Sequence, residues 1–241
     1  MDFDPDTDRP NLGYVRGDRV CMMFDCGASP AHAETFFGLL RERGLPKPAF
    51  AVLSHWHWDH ALAMRSLGIP VIAGVRTQEK LKEVTSWEWT EEAMARRLET
   101  GEDILFCEDH IRKEYGGHLE TVPRFRAADA SFEEALELDL GGLYVRLLHA
   151  GGPHAEDSVV CHVPQERFIF LGDSAGKDLY AAVWDYDPAD SVKSDLAMDA
   201  IPYDQPRLRQ YTEFLRTLSF DRCLEGHTLC ETREEFFASL A

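Results

Sequence analysis

Within six residues the chain places three histidines and one aspartate, in the run His55-Trp56-His57-Trp58-Asp59-His60. A lone histidine is more often a packed or surface residue than a ligand. Four imidazole and carboxylate groups beside one apolar run are not explained by packing. His55 and His57, two apart, project to the same side of an extended segment. Asp59 and His60 follow where the chain turns into a helix, so one short loop can reach two neighbouring metal ions from two directions. This donor set suits zinc, with iron or manganese as alternatives. Two such ions ~3.5–4 Å apart share a water and bring its pKa towards neutrality, which is the chemistry of a hydrolase. A Gly-x-Ser-x-Gly elbow for a serine nucleophile is absent.

The run is positioned by alternating strand and helix signals. Residues 19–24, Arg-Val-Cys-Met-Met-Phe, read as a buried strand ending at Asp25. Ser29-Pro30 supplies an N-cap and a first-turn proline. Ala33, Phe36, Phe37 and Leu40 then form one apolar helical face, and Gly44 ends that helix. Residues 49–53, Ala-Phe-Ala-Val-Leu, form a short strand that runs into Ser54 and the histidines. The cluster thus sits at the carboxyl end of a strand, where α/β sheets place their sites. A short helix and the strand 70–73 follow.

Residues from about 76 to 128 are helix-rich and interrupt the strand pattern, with starts expected at Thr90-Glu91-Glu92 and at Glu102-Asp103. They read as an inserted helical cap within one domain spanning 1–241. Strands resume at about 132–139 and 143–148. Residues 158–163 and 167–171 read as a hairpin ending at Gly172-Asp173. A helix is expected over 208–218 and a strand over 221–225, leading to Gly226-His227. Thr232-x-x-Glu235 is a capping box opening a final helix.

The formal net charge is −18, from 25 basic and 43 acidic residues. Such a surface repels phosphate backbones and anionic membranes, so the expected partner is a small-molecule substrate, without nucleic acid or membrane. The acidic segment through about Pro10 lacks the pattern of a secretory signal and is expected to be loosely held. No apolar run approaches the roughly 18–20 residues of a membrane span. Six cysteines without a Cys-x-x-Cys pair read as reduced, mostly buried thiols of a cytoplasmic protein.

The run His55 to His60 is the His-x-His-x-Asp-His signature, and with it the sequence resembles the metallo-β-lactamase fold superfamily. Four further elements match in order: Phe24-Asp25-Cys26-Gly27, Gly151-Gly152-Pro153-His154, Phe170-Leu171-Gly172-Asp173 and Glu225-Gly226-His227. The resemblance implies an α+β fold, a four-layer αββα sandwich with a helical insertion. It implies that His55, His57 and His154 hold a first metal ion, and that Asp59, His60 and His227 hold a second. Asp173 would bridge both, and Asp25 would brace the histidine loop. His149 is a rival for His154; His154 is preferred because it follows the turn and precedes Asp157-Ser158 and the next strand, as the family pattern requires. In catalysis Asp59 and Asp173 would hold and orient the hydroxide.

Asp173 stands where true β-lactamases usually have Cys or Ser, so the resemblance favours glyoxalase II-like thioesterases, lactonases and phosphodiesterases. Ala61-Leu62 replaces the Gly-Gly that often follows the signature. Only 14 residues follow His227, and the helical glutathione-binding domain of glyoxalase II is expected to be missing. The leading expectation is a dinuclear zinc hydrolase of a small ester, thioester, lactone or phosphodiester. An iron oxidoreductase similar to the persulfide dioxygenases, with a single iron, is the alternative on the same scaffold. A binding domain with a vestigial site is a third reading, and seven intact ligands argue against it. Trp56, Trp58, Trp87, Trp89, Tyr180, Trp184, Tyr186 and Tyr203 are candidate pocket aromatics, most of them expected in the core. Tyr180 is a candidate proton donor or oxyanion partner; Lys177 and Arg96 are candidate anion contacts, with a solvated surface charge the leading expectation for each.

Overall fold

A computed structural model describes residues 7–240 of the chain. The first sheet has five strands in the order β1 (Gly13–Arg16), β2 (Cys21–Phe24), β3 (Phe50–Val52), β4 (Val71–Gly74) and β5 (Ala130–Phe132). β1 pairs antiparallel with β2, and β2 to β5 run parallel. Parallel neighbours need crossover connections. Helix α1 (Pro30–Glu42) crosses from β2 to β3, and α2 (Trp58–Ala61) with a 3₁₀ turn at Leu62–Arg65 crosses from β3 to β4. Three helices join β4 to β5: α3 (Val75–Val84), α4 (Glu91–Thr100) and α5 (Leu105–Glu114).

The second sheet takes the remaining strands: β6 (Ala135–Asp139), β7 (Tyr144–His149), β8 (Val159–Val163), β9 (Phe168–Gly172), β10 (Arg222–Glu225) and β11 (Glu231–Thr232). β6 to β9 form an antiparallel meander, and β10 pairs parallel with β9. Helices α6 (Ser191–Asp199) and α7 (Gln205–Arg216) lie in the β9–β10 connection, and α8 (Arg233–Ser239) follows β11.

Side-chain alternation along the strands builds three apolar layers. Met22, Phe24 and Val52 point between the sheets, where they meet Val145, Leu147, Val159 and Cys161. Their neighbours Met23, Ala51 and Leu53 point the other way, against Phe36 and Leu40 of α1 and Leu81, Met94 and Ile111 of α3 to α5. On the far side Val160, Ile169 and Leu171 pack on Tyr211, Leu215 and Phe236 of α7 and α8. The result is the expected four-layer αββα sandwich.

The helical stretch expected at about 76–128 is present between β4 and β5, and its apolar residues share one core with α1. It therefore closes the outer helical layer. α4 starts at the expected Thr90 cap, whereas α5 starts at Leu105, because Asp103 turns its carboxylate onto Ile104 N, 2.9 Å away. The single strand read over 132–139 is two strands in different sheets, β5 and β6, separated by a bend at Glu133 and Glu134. β1, β11 and α6 have no counterpart in the sequence reading. The capping box at Thr232 and Glu235 is formed. All six cysteines are free; five are buried and Cys230 is exposed. No helix among the described residues is long and apolar enough to cross a membrane.

α1 carries a buried histidine with a consequence for stability. Ala28 N donates to His32 Nδ1 at 3.2 Å, and the ring is fully buried. Burial, reinforced by the Arg9 guanidinium, pushes the His32 pKa down to about 3. In the unfolded chain the imidazole takes its proton near pH 6.5. Between those values the unfolded state binds more protons, so stability falls as pH drops through that window. From pH 7.5 to 5 this group alone should remove about 2 kcal/mol. Urea unfolding at both pH values is expected to show that extra loss in the parent and not in His32→Gln; equal losses would contradict it.

Candidate metal centre

The ends of several strands meet at one edge of the sandwich. β3 leads through Leu53-Ser54 into His55 and His57, and Asp59 and His60 lie on the first turn of α2. His154 comes from the β7–β8 connection, Asp173 directly follows β9, and His227 follows β10. All seven expected ligands converge in two groups, His55 with His57 and His154, and Asp59 with His60, Asp173 and His227. Within each group the ligand atoms lie within 4.8 Å of one another.

One carboxylate oxygen joins the groups. Asp173 Oδ2 lies 3.1 Å from both His60 Nε2 and His227 Nε2, 3.8 Å from His154 Nε2 and 4.0 Å from His55 Nε2. Asp59 Oδ2 lies 3.0 Å from His60 Nε2 and 3.1 Å from His227 Nε2. In the other group His57 Nδ1 and His154 Nε2 face each other at 2.9 Å. The buried His55 Nε2 and Asp173 Oδ1 have no hydrogen-bond partner among the described residues. Buried polar atoms are normally paired. Orphaned ligand atoms aimed into a cluster of imidazoles and carboxylates are what a metal site presents without its ions, so the residues fit a divalent pair.

The electrostatics divide in the same way. Burial and the neighbouring imidazoles hold His55 and His57 well below the ordinary histidine value, so both are neutral, the form that binds metal. Burial opposes the charge of His60 and His227, but Asp59, Asp173, Asp25 and Asp8 outweigh it and raise both well above that value. The same imidazoles hold Asp59 and Asp173 below the carboxylate range despite burial. A divalent ion bound there would take the place of the imidazole protons between these carboxylates.

The ligands are braced from behind. Asp25 adopts φ 67, a left-handed conformation rare for this residue type, and sits buried under the loop. Its Oδ1 accepts from Ser54 N at 2.7 Å and its Oδ2 from His60 Nδ1 at 2.9 Å. This is the role the resemblance implied. His154 Nδ1 donates to Lys177 O at 2.8 Å, which frees Nε2 as a ligand. Asp157 Oδ2 accepts from Trp56 N at 3.0 Å and fixes the middle of the histidine loop. Gly172 carries φ 56, and a Cβ there would stand 2.6 Å from Ser54 Cβ, so a glycine is needed where β9 turns towards Asp173.

The N-terminal segment supplies a strap. Asn11 N donates to Gly226 O at 2.6 Å, and its side-chain amide donates to Glu225 O at 3.0 Å and Thr228 O at 2.7 Å. Asp8 Oδ1 lies 3.4 Å from His227 Nδ1, and Arg9 Nε pairs with Glu114 Oε2 at 2.8 Å. The described part of the segment expected to be loose is therefore anchored; residues 1–6 lie outside the described residues. The two side-chain contacts of Asn11 can be removed together, leaving its backbone bond to Gly226 in place. Asn11→Ala should keep the fold yet weaken metal retention about 10-fold in competition with a chelator; unchanged retention would contradict the strap.

The remaining sequence candidates separate. His149 is outside the cluster, with Nε2 donating to Glu156 O at 2.9 Å. Trp58 lines the cavity beside the centre, whereas Trp56 packs in the core and borders a second cavity across the His57–His154–Tyr180 wall. Tyr203 lines the first cavity and Trp87 the second; Trp89 is buried, and Trp184 and Tyr186 stack on Phe106. Tyr180 lies over the His57 ring, centroids 5.2 Å apart. Its hydroxyl is committed to Asp103 Oδ1 at 3.2 Å and Cys107 Sγ at 3.4 Å, and burial with those two groups raises its pKa well above 10. Tyr180 is thus a wall and not the proton donor the sequence suggested. Arg96 is exposed on α4, away from the cavity. The sequence reading missed Asp8 and Asn11, and used Asp157 only to mark His154, not as a brace of the histidine loop. A polar pair within an acidic segment carries no spacing signal that would have marked Asp8 and Asn11.

The chain belongs to the metallo-β-lactamase superfamily, whose family model matches residues 6–204. Solved structures share the fold at low identity. A metallo-β-lactamase from Pontibacter korlensis superposes with a TM-score of 0.61 at 16% identity, covering 94% of this chain and 83% of its own. TTHA1623 in a di-iron-bound form gives 0.59 at 20% identity, covering 96% and 93%. The archaeal superfamily protein ST1585 from Sulfolobus tokodaii gives 0.55 at 21% identity, covering 100% and 81%. No curated protein sequence matches this chain significantly.

Proposed function

We propose that this chain is a metal-dependent hydrolase that cleaves a small ester, thioester, lactone or phosphodiester at a dinuclear, zinc-type centre. The observation that carries the reading is Asp173 Oδ2, a single carboxylate oxygen within 4.0 Å of nitrogen ligands from both groups. Two divalent ions held there would supply hydroxide near neutral pH and polarise the substrate oxygen. The chain's own part is placement. Asp59 and Asp173 accept from and orient the attacking water, His55, His57 and His154 hold one side of the centre, and His60 and His227 hold the other. Tyr180, stacked on His57, keeps water from that side of the ring. The net charge of −18 favours a small molecule over nucleic acid or membrane as partner.

The di-iron-bound form of TTHA1623 supports iron as an alternative occupant; the oxidoreductase alternative differs in needing a single iron. The test is a screen of thioesters, lactones, phosphodiesters and β-lactams with the protein stripped of metal and reloaded with zinc or iron. Zinc-restored hydrolysis is expected. Oxygen consumption by a form holding one iron per chain, without hydrolysis, would overturn the reading.

A further inference from the structure

A cavity of about 540 Å³ opens beside the metal centre, a size typical of small-molecule sites. We propose that the arm of the substrate lying in this cavity is uncharged and apolar. The inference rests on the hydrolase reading above and names the substrate class of that same site.

Three separate stretches of chain bring apolar side chains to the cavity. Ile104 and Phe106 come from the start of α5, Leu179 and Tyr180 from the loop after Asp173, and Met198 from the end of α6. Charge is distributed against an anion. Lys177 is the one Lys or Arg among the described lining residues, and its ammonium is already engaged. Its Nζ donates to Asp199 O at 2.6 Å and Met198 O at 3.3 Å, the carbonyl end of α6, where a cation complements the helix. The lining carboxyls beyond the ligands are those of Asp8, Asp199 and Glu225, on a chain of net charge −18. An anionic arm would lose its hydration for at most the third N–H of an ammonium already held by two carbonyls. A cationic arm would have to compete with His227, 3.4 Å away, for Asp8, and would be stripped of water against the rings and methyls of the inner wall. An alkyl or aryl arm buries apolar area at no such cost.

The probe is a pair of hydroxamates, whose head groups chelate zinc equally and whose six-carbon arms end in a methyl group or a carboxylate. Binding to the zinc-loaded full chain is measured by calorimetry, with zinc content determined first. The methyl-ended compound is expected to bind at least about 30-fold more tightly. Met198→Lys, which puts a free ammonium in the inner wall, should cut that ratio to below about 5-fold. Equal or tighter binding of the carboxylate-ended compound overturns the proposal, as does binding of neither by protein that holds zinc. A chain that holds no zinc instead removes the hydrolase reading on which the proposal rests, and the proposal falls with it.

Discussion

Asp173→Asn is expected to lower the metal content of the purified protein to below half that of the parent and hydrolysis by at least about 1,000-fold. The carboxylate oxygen faces His60 and His227 at 3.1 Å, and His154 and His55 at 3.8 and 4.0 Å. An amide keeps the shape but removes the negative charge and offers one acceptor where the site uses an anion. It also takes one carboxylate from each of two imidazoles, leaving His60 with Asp25 and Asp59 and His227 with Asp8 and Asp59. Because fewer anions then face the two imidazoles, the metal-free variant should be less stable than the metal-free parent. Elemental analysis and a steady-state assay check the claim. Parent-like metal content with a parent-like rate would remove Asp173 from the centre.

Gly226→Ala should have the second largest effect, through sterics alone. A Cβ at this position would stand 2.1 Å from Asp173 Oδ1 and 3.1 Å from His60 Cε1. The backbone cannot recede, since Gly226 N donates to Gly172 O at 2.8 Å and Gly226 O accepts from Asn11 N at 2.6 Å. Gly226 is not among the positive-φ residues, so alanine itself fits the local backbone. The methyl therefore drives the Asp173 carboxylate out of place. We expect a folded protein with a native circular dichroism spectrum, about 100-fold lower activity and weaker metal retention. An alanine variant with parent activity would mean that Asp173 can shift freely, contrary to the packing described.

How much of this was legible in sequence depends on how local each signal is. The histidine run was readable because four donors from one loop fall within six residues, and a strand end placed them. His154, Asp173 and His227 were reached through resemblance, since nothing in their own spacing ties them to residue 55. The helix α1 was readable from an N-cap, a proline and a full apolar face. The split of β5 from β6 was not, because two strands on either side of a short bend carry the same apolar alternation whichever sheet they join. Asp8 and Asn11 were invisible because their contacts lie across more than 200 residues of chain. Tyr180 was misread for a related reason. Its position in sequence suggested the site, but the partner that takes its hydroxyl, Asp103, belongs to the helical stretch between β4 and β5.

The central claim is that one edge of the sandwich holds two metal ions through two ligand groups sharing Asp173. The most direct measurement is the metal-to-protein ratio of chain purified without chelator, set beside the His227→Ala variant. The account predicts about two ions per chain in the parent and about one in the variant, because the group of His55, His57 and His154 is left intact. A parent with no bound metal, or one whose content is unchanged by loss of His227, would contradict it.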